Sequence, residues 1–431
     1  MKATPSTVKI GLLGCGVVGS EVARLLLGDK KELSTRAGIS IELTAIAVRD
    51  KKIAREGIPA NLLTDDLSGL VNNPEIDLVI EVLGGINPAK ELILTAIASG
   101  KSVVTANKAL LAQSGAELYA AADKKGVDLY YEAAVGGAIP ILRPLRESLV
   151  GDHVRRVMGI VNGTTNYILT KMDEDGAAFG DVLKEAQKLG FAEADPTADV
   201  EGIDAAAKAA ILASLAFHSR VSDSAVFREG ISKISATDIA VAKSMDHVIK
   251  LLAIAELTAN NEISVRVHPT LIPRSHPLAA VRNSFNAVFL TADSAGDLMF
   301  YGRGAGGAPT ASAVLGDVVA ISRHLATGAV GAPESDYADR AIAPIGQIKT
   351  QYLIRLDVAD RSGVLAAIAQ CFADNKVSIQ TVRQSGRGSD AELIVVTHSA
   401  AESALAATVA ALGKLDMVRD VASVIRVEGG A

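Results

Sequence analysis

Asp204 and Lys208 stand one helical turn apart in a stretch otherwise filled with alanine and aliphatic residues. Residues four apart share one face of a helix. An acid and an amine at that spacing form either a surface ion pair, worth about 0.3–0.5 kcal/mol, or an acid–base unit. The surroundings favour the second. At about 100° per residue, Ile211 and Leu215 share the face of the pair, while alanines and Ser214 fill the other faces. A helix with no solvated side is expected to be buried all round, and a buried charge must be paired and hydrogen-bonded. Such a pair is a candidate for chemistry. An ammonium can give a proton to a developing alkoxide or steady it, and a carboxylate can grip a hydroxyl or an amine.

More acids precede the pair. The stretch runs Ala186-Gln-Lys-Leu-Gly190-Phe-Ala-Glu193-Ala-Asp195-Pro196-Thr-Ala-Asp199-Val-Glu-Gly202-Ile-Asp204 and on to Lys208. Gly190 should end one helix, Asp195-Pro196 forces a turn, and a new helix is predicted from about Asp199. The pattern Ala-x3-Gly, Asp-Pro-x2-Asp, Gly-x-Asp-x3-Lys resembles the signature of homoserine dehydrogenases at every position. The resemblance implies reversible, NAD(P)-dependent interconversion of L-homoserine and L-aspartate 4-semialdehyde. Lys208 and Lys108 are then the catalytic candidates, with Glu193, Asp199 and Asp204 expected to hold the substrate.

A dehydrogenase needs a dinucleotide site, and the amino-terminal third offers one. The apolar strand Val8–Leu13 runs into Gly14-Cys15-Gly16-Val17-Val18-Gly19 and then a helix. This is G-x-G-x-x-G at a strand–helix junction, where backbone N–H groups and the helix dipole accept a pyrophosphate. A second strand, Ile41–Val48, ends at Arg49. An acid at that tip suits the ribose 2′-hydroxyl of NAD; an arginine suits the 2′-phosphate of NADP. Arg49 therefore favours NADP, with Lys51 and Lys52 as helpers, although Asp50 keeps NAD in play and a plain solvated turn is the alternative. Thr105-Ala106-Asn107-Lys108 follows another strand, at the end where open parallel sheets bind ligands. Lys108 faces solvent or the crevice; the same resemblance puts it in the active site. A second glycine-rich stretch, Tyr301 to Ala311, precedes a helix and suits a phosphate or the nicotinamide amide; the alternative is a hinge. Thr105, Gly190 and Gly306 are further expected cofactor contacts, beside Gly14, Gly16, Val17, Val18, Gly19, Arg49 and Lys108.

The tight turn Glu132-Ala-Ala-Val135-Gly136-Gly137-Ala138-Ile139-Pro140 corresponds to a monovalent-cation site in that family, for Na+ or K+. Glu132, Val135, Gly137 and Ile139 are the matching positions, contributing mainly carbonyls; a turn with no ion is the alternative. Thr164 or Thr165 could cap the helix that follows; the run Asn162-Gly163-Thr164-Thr165-Asn166 also matches the family, and since capping and lining of the site are compatible, no catalytic role is assigned there. His268 and His276 are expected in a loop, and all seven histidines are read as non-catalytic.

The tail reads strand–helix–strand–strand–helix–strand, a ferredoxin-like split unit. Its Asp360-x-x-Gly363-Val364-Leu365 turn resembles ACT domains, which bind amino acids between paired copies. L-threonine is the effector this implies, in a homo-oligomer (dimer or tetramer); a purely dimerising module is the alternative. The expected division is α/β: a Rossmann dinucleotide-binding domain over 1–138, completed by a helix at about 308–326; an α+β substrate domain over 139–307; a linker over 327–350; and the ACT domain over 351–431. The linker is expected to make the tail mechanically separable. Another ACT-bearing dehydrogenase, or an amino-acid sensor without turnover, are the rival readings.

The bulk composition agrees. The 431 residues are 49% hydrophobic and 21% charged, with a net charge of −6, which gives no electrostatic case for nucleic acid or an anionic membrane. No apolar run reaches a membrane span of about 18 residues, and Met1–Lys9 is too polar for a signal peptide. Cys15 and Cys371, far apart, fit a reducing cytoplasm.

Overall fold

The computed structural model describes residues 5–333, 336–386 and 391–429. The chain begins as β1 (Thr7–Leu13), α1 (Val17–Gly28), α2 (Lys30–Ala37), β2 (Ser40–Ala47), β3 (Leu63–Thr64), α3 (Leu67–Asn72), β4 (Leu78–Glu81), α4 (Ala89–Ala98), β5 (Ser102–Thr105), α5 (Lys108–Lys125) and β6 (Leu129–Tyr130). After β7 (Val154–Ile160) come α6 (Gly163–Asp175), α7 (Phe179–Lys188), α8 (Thr197–Val200) and α9 (Ile203–Phe217). Then follow β8 (Phe227–Arg228), α10 (Ala236–Ser244), β9 (His247–Leu257), β10 (Ile263–Pro273), β11 (Phe285–Ala292), β12 (Gly296–Arg303) and α11 (Gly307–Thr327). The tail is β13 (Lys349–Val358), α12 (Val364–Asp374), β14 (Ile379–Ser385), β15 (Glu392–Thr397), β16 (Ala400–Ala401), α13 (Glu402–Leu412) and β17 (Val418–Val427).

These elements form two compact units. One holds Met1–Val157, Ala210–Asp223 and Asn286–Asp339; the other holds Met158–Ala209, Ser224–Phe285 and Arg340–Ala431. In the first, six strands stand in the order β3-β2-β1-β4-β5-β6, all parallel. The strand order reverses between β1 and β4, the switch point where such sheets bind dinucleotides. The strands are short apolar runs because helices cover them. Val8, Ile10, Leu12, Ile46 and Ile80 pack with Val22 and Leu26 of α1, and with Val314, Val318 and Ile321 of α11.

Helix α11 is fastened by a buried acid. Asp317 accepts the Glu132 N–H at 2.8 Å and a hydrogen bond from the Arg143 guanidinium at 2.5 Å. The Glu132 carboxylate in turn accepts the N–H groups of Ile141, Leu142 and Arg143 at 2.6, 2.8 and 2.7 Å.

In the second unit β9 and β10 pair antiparallel from Ile263↔Leu257 to Pro273↔His247. His268 thus lies inside the strand β10 and is fully buried, not in the loop expected beside Pro269; the strand runs on through that proline to Pro273. The tail does not hang free either. β17 joins β10 in parallel at Thr270↔Arg426 and Leu271↔Val427, and the order continues through β13, β15 and β14. Upstream of the tail, Ile263 donates to the Ala341 carbonyl and Ala343 to that of Ile263, each at 2.8 Å. The expected separability therefore gives way to a shared sheet, because strand pairing between distant residues leaves no periodic trace in sequence. The strand–helix order expected for the tail is present; the hairpin tip expected at Ser385 to Ser389 reaches residues 387–389, which lie outside the described residues.

Burial pushes the Asp317 carboxyl up to about 7, against the pull of Arg143. A raised folded-state value means that the penalty for its charge is absent below the unfolded value near 3.8 and complete above about 7. Wild-type stability relative to Asp317→Asn should therefore fall as pH rises through that window. Denaturant unfolding of both proteins across the window checks it; a constant difference would show that the carboxyl titrates normally.

Candidate active site

The helix predicted from Asp199 is broken in two. α8 ends at Val200, Gly202 adopts φ +74°, and α9 starts at Ile203. Only a glycine takes that left-handed turn at little cost, and the break puts Asp204 in the first turn of α9. There the helix dipole favours a carboxylate. α9 is buried nearly all round, as expected; Ile203 alone is exposed.

Lys208 Nζ donates to Asp204 Oδ2 at 2.7 Å and to the Val161 carbonyl at 2.6 Å. Both side chains are about nine-tenths buried. The Asn162 amide donates to Asp204 Oδ2 at 2.9 Å and to Asp199 Oδ1 at 2.7 Å. Its own oxygen caps α6 by accepting the Thr165 N–H at 2.9 Å. The Thr164 hydroxyl donates to the Phe191 carbonyl at 2.6 Å and lies 3.1 Å from Asp199 Oδ2. Two acids and one ammonium are thus joined through one amide. The cap was expected at Thr164 or Thr165, but both lie inside α6 and Asn162 is the cap; its signal was an asparagine, a favoured capping residue, at the head of a family-like run. Glu193 is solvent-exposed in the loop after α7, outside these hydrogen bonds. Gly190 ends α7 in the left-handed region and is exposed.

In the first unit, β1 turns into α1 through three glycines, of which sterics demand Gly14 and Gly19. A Cβ on Gly19 would stand 2.2 Å from the Gly14 carbonyl oxygen. Gly16 caps α1 with open space around its missing side chain, and Val17 beside it is exposed. The second glycine-rich turn meets the first: a Cβ on Gly307 would lie 3.1 Å from the Val17 carbonyl oxygen, with Gly306 capping α11. Two helix starts thereby open side by side, each with N–H groups for an anion.

At the carboxyl ends of β4 and β5 stands Glu81, fully buried. It accepts the Thr105 hydroxyl at 2.5 Å and the Leu83 N–H at 2.8 Å. Burial raises its carboxyl above the usual range, while the Thr105 hydrogen bond pulls it back. Sequence reasoning missed Glu81, though one charge inside an apolar strand was its signal. Asn107 donates to the Gly85 carbonyl at 2.6 Å and caps α5, so Lys108 is the first residue of that helix, half-buried. Arg49 is exposed just beyond β2. Lys51 is paired with Asp65 at 2.9 Å.

The expected cation turn is close-packed. A Cβ on Gly137 would stand 2.6 Å from the Gly304 carbonyl oxygen, and Ala138 donates to Arg303 at 3.1 Å. Because the Glu132 carboxylate is taken by three N–H groups, an ion here would rely on carbonyls. Among the described residues no three His, Cys, Asp or Glu could hold a metal, and no helix is long and apolar enough to cross a membrane.

Three family models match the chain: the NAD binding domain of homoserine dehydrogenase over 14–132, homoserine dehydrogenase over 140–319, and the ACT domain over 352–416. A homoserine dehydrogenase of Corynebacterium glutamicum is 55% identical over 431 residues, covering 99% of this chain and 97% of the relative. That of Mycobacterium tuberculosis is 52% identical over 439 residues, covering 100% and 99%. A crystal structure of a homoserine dehydrogenase from Thiobacillus denitrificans aligns with TM-score 0.93 at 42% identity over 98% of each chain. A hyperthermophilic archaeal homoserine dehydrogenase in complex with NADPH aligns with TM-score 0.61 at 26% identity, over 73% of this chain and 98% of that one.

Proposed function

The chain belongs to the homoserine dehydrogenase family, and on that premise we propose which residues carry its reaction. It is an oxidoreductase acting on the CH–OH of homoserine, with a nicotinamide dinucleotide as cofactor. The observation that carries the residue assignment is the cluster of buried Asn162, Asp204 and Lys208 with half-buried Asp199 beside them. Bound nicotinamide supplies hydride to the aldehyde of L-aspartate 4-semialdehyde and takes it back from L-homoserine. The new alkoxide needs a proton, and the Lys208 ammonium gives it. In the oxidation the same nitrogen recovers the proton. Asp204, 2.7 Å away, keeps that ammonium in place. Lys108 is the second cation at the reacting oxygen. Asp204 and Asp199 take the substrate's hydroxyl and ammonium, with Glu193 from its loop as a further carboxylate for the ammonium.

The cofactor is held by Gly14, Gly16, Val17, Val18 and Gly19, with Thr105, Gly190 and Gly306 as further contacts. The open helix start at Gly16 and the adjoining turn at Gly306 support this. NADP is preferred over NAD because Arg49, exposed beyond β2, meets the 2′-phosphate. The carbonyls of Glu132, Val135, Gly137 and Ile139 hold Na+ or K+. L-threonine binds between the tails of two subunits, near Asp360 to Leu365. The exposed Leu365 on α12 and Val382 on β14 support a surface made to be covered by a second copy. Titrating homoserine oxidation with L-threonine tests this; activity unchanged by threonine would reject it as the effector.

Lys208→Ala should cut kcat on the order of 10²-fold or more, measured as homoserine oxidation; near-wild-type turnover would remove Lys208 from the chemistry. Arg49→Ala should raise KM for NADPH much more than for NADH, since only NADPH carries the 2′-phosphate. Equal changes for both cofactors would show that Arg49 does not read that group.

A further inference from the structure

The seam between the tail and the rest of its unit contains an ion pair that leads to the acids of the candidate site. Arg426 of β17 is buried. Its Nε and Nη2 donate to the Glu402 carboxylate at 2.7 and 3.0 Å, and its Nη1 donates to Glu229 at 2.7 Å. Glu402 starts α13 in the tail and also accepts the Tyr352 hydroxyl at 2.7 Å. Glu229 belongs to a short strap that follows β8.

Backbone contacts tie this strap on two sides. Glu229 N–H donates to the Val267 carbonyl of β10, and Ile231 N–H to the Val200 carbonyl at the end of α8, each at 2.8 Å. Between them Gly230 lies so close that a Cβ would be 2.4 Å from the Val200 carbonyl oxygen and 2.6 Å from Glu201 Cα. Val200 directly follows Asp199, and two residues later Gly202 makes the turn that sets Asp204. Close-packed backbone of this kind passes a shift on rather than absorbing it.

We propose that Glu229 is a positioning residue for the substrate acids. Arg426 holds Glu229, the strap holds Val200 to Gly202, and that turn sets Asp199 and Asp204. The tail thereby helps shape the homoserine site through one guanidinium shared between Glu402 and Glu229. The proposal rests on the assignment of Asp199 and Asp204 to substrate.

Kinetics of homoserine oxidation by the full-length protein test it, with KM for homoserine, KM for NADP and the unfolding midpoint read together. Glu229 is half-exposed, and in Glu229→Gln the buried Arg426 keeps Glu402, so the variant should fold. It should raise the homoserine KM about fivefold or more, the scale of a coupling between sites, and leave the NADP KM and the midpoint unchanged. Arg426→Lys, which cannot keep both bonds to Glu402, should raise the homoserine KM at a lower midpoint with the NADP KM unchanged, and the double variant should raise that KM no more than either single one. Gly230→Ala, which leaves the ion pair intact, should also raise the homoserine KM. An unchanged homoserine KM in Glu229→Gln, additive effects in the double variant, or a parallel rise in both KM values with a falling midpoint would each overturn the proposal. Asp199→Asn, assayed alongside, separates the failures. If it too leaves the homoserine KM unchanged, the substrate assignment fails and the proposal falls with it. If Asp199→Asn raises that KM and Glu229→Gln does not, the coupling alone fails.

Discussion

A lysine ammonium and a carboxylate, both about nine-tenths buried, face each other at 2.7 Å in the second unit. Taking either charge out of water alone would be prohibitive, and removing one partner of such a pair typically costs about 3–5 kcal/mol. Much of the local structure can be understood as the means of holding the pair. Asn162 bridges Asp204 to Asp199, the Val161 carbonyl takes a second ammonium proton, and Gly202 brings Asp204 to a helix start. The alanine-rich faces of α9 let neighbours pack close enough to exclude water. What the pair gains in return is a defined proton position, which a solvated lysine on a flexible stem would lack.

The dinucleotide half works by a different constraint. Gly14 and Gly19 are required by close backbone approach, Gly307 sits tightly against Val17, and Gly16 leaves open space. Glu81 gathers Thr105 and the Leu83 N–H, and Asp317 anchors α11 to the turn that starts at Glu132. The two units thus use buried acids in different ways, one to hold an ammonium and the other to hold backbone in place.

Much of this was legible in the chain because it depends on near neighbours. Asp204 and Lys208 are one turn apart, Gly14 to Gly19 lie on one turn, and the alternation of strands and helices gives the parallel sheet. What was illegible depends on distant partners. Nothing near Arg426 in sequence points to Glu229, and nothing near Asp317 points to Glu132. The tail looked detachable because its own strand–helix pattern is complete, while its pairing with β10 is set by backbone hydrogen bonds that any sequence can make. The break at Gly202 was signalled by the glycine itself, but the alanine run after it masked the stop.

If Asn162 and Lys208 act as one unit with the acids, their substitutions should not be independent. The direct measurement is kcat/KM for homoserine oxidation in Asn162→Ala, Lys208→Ala and the double variant. Residues that work as a unit give strongly non-additive losses, so the double variant should be about as slow as Lys208→Ala alone. Losses that multiply in full would mean that Asn162 serves only as the cap of α6, and that the amide does not join the acids and the ammonium into one catalytic cluster.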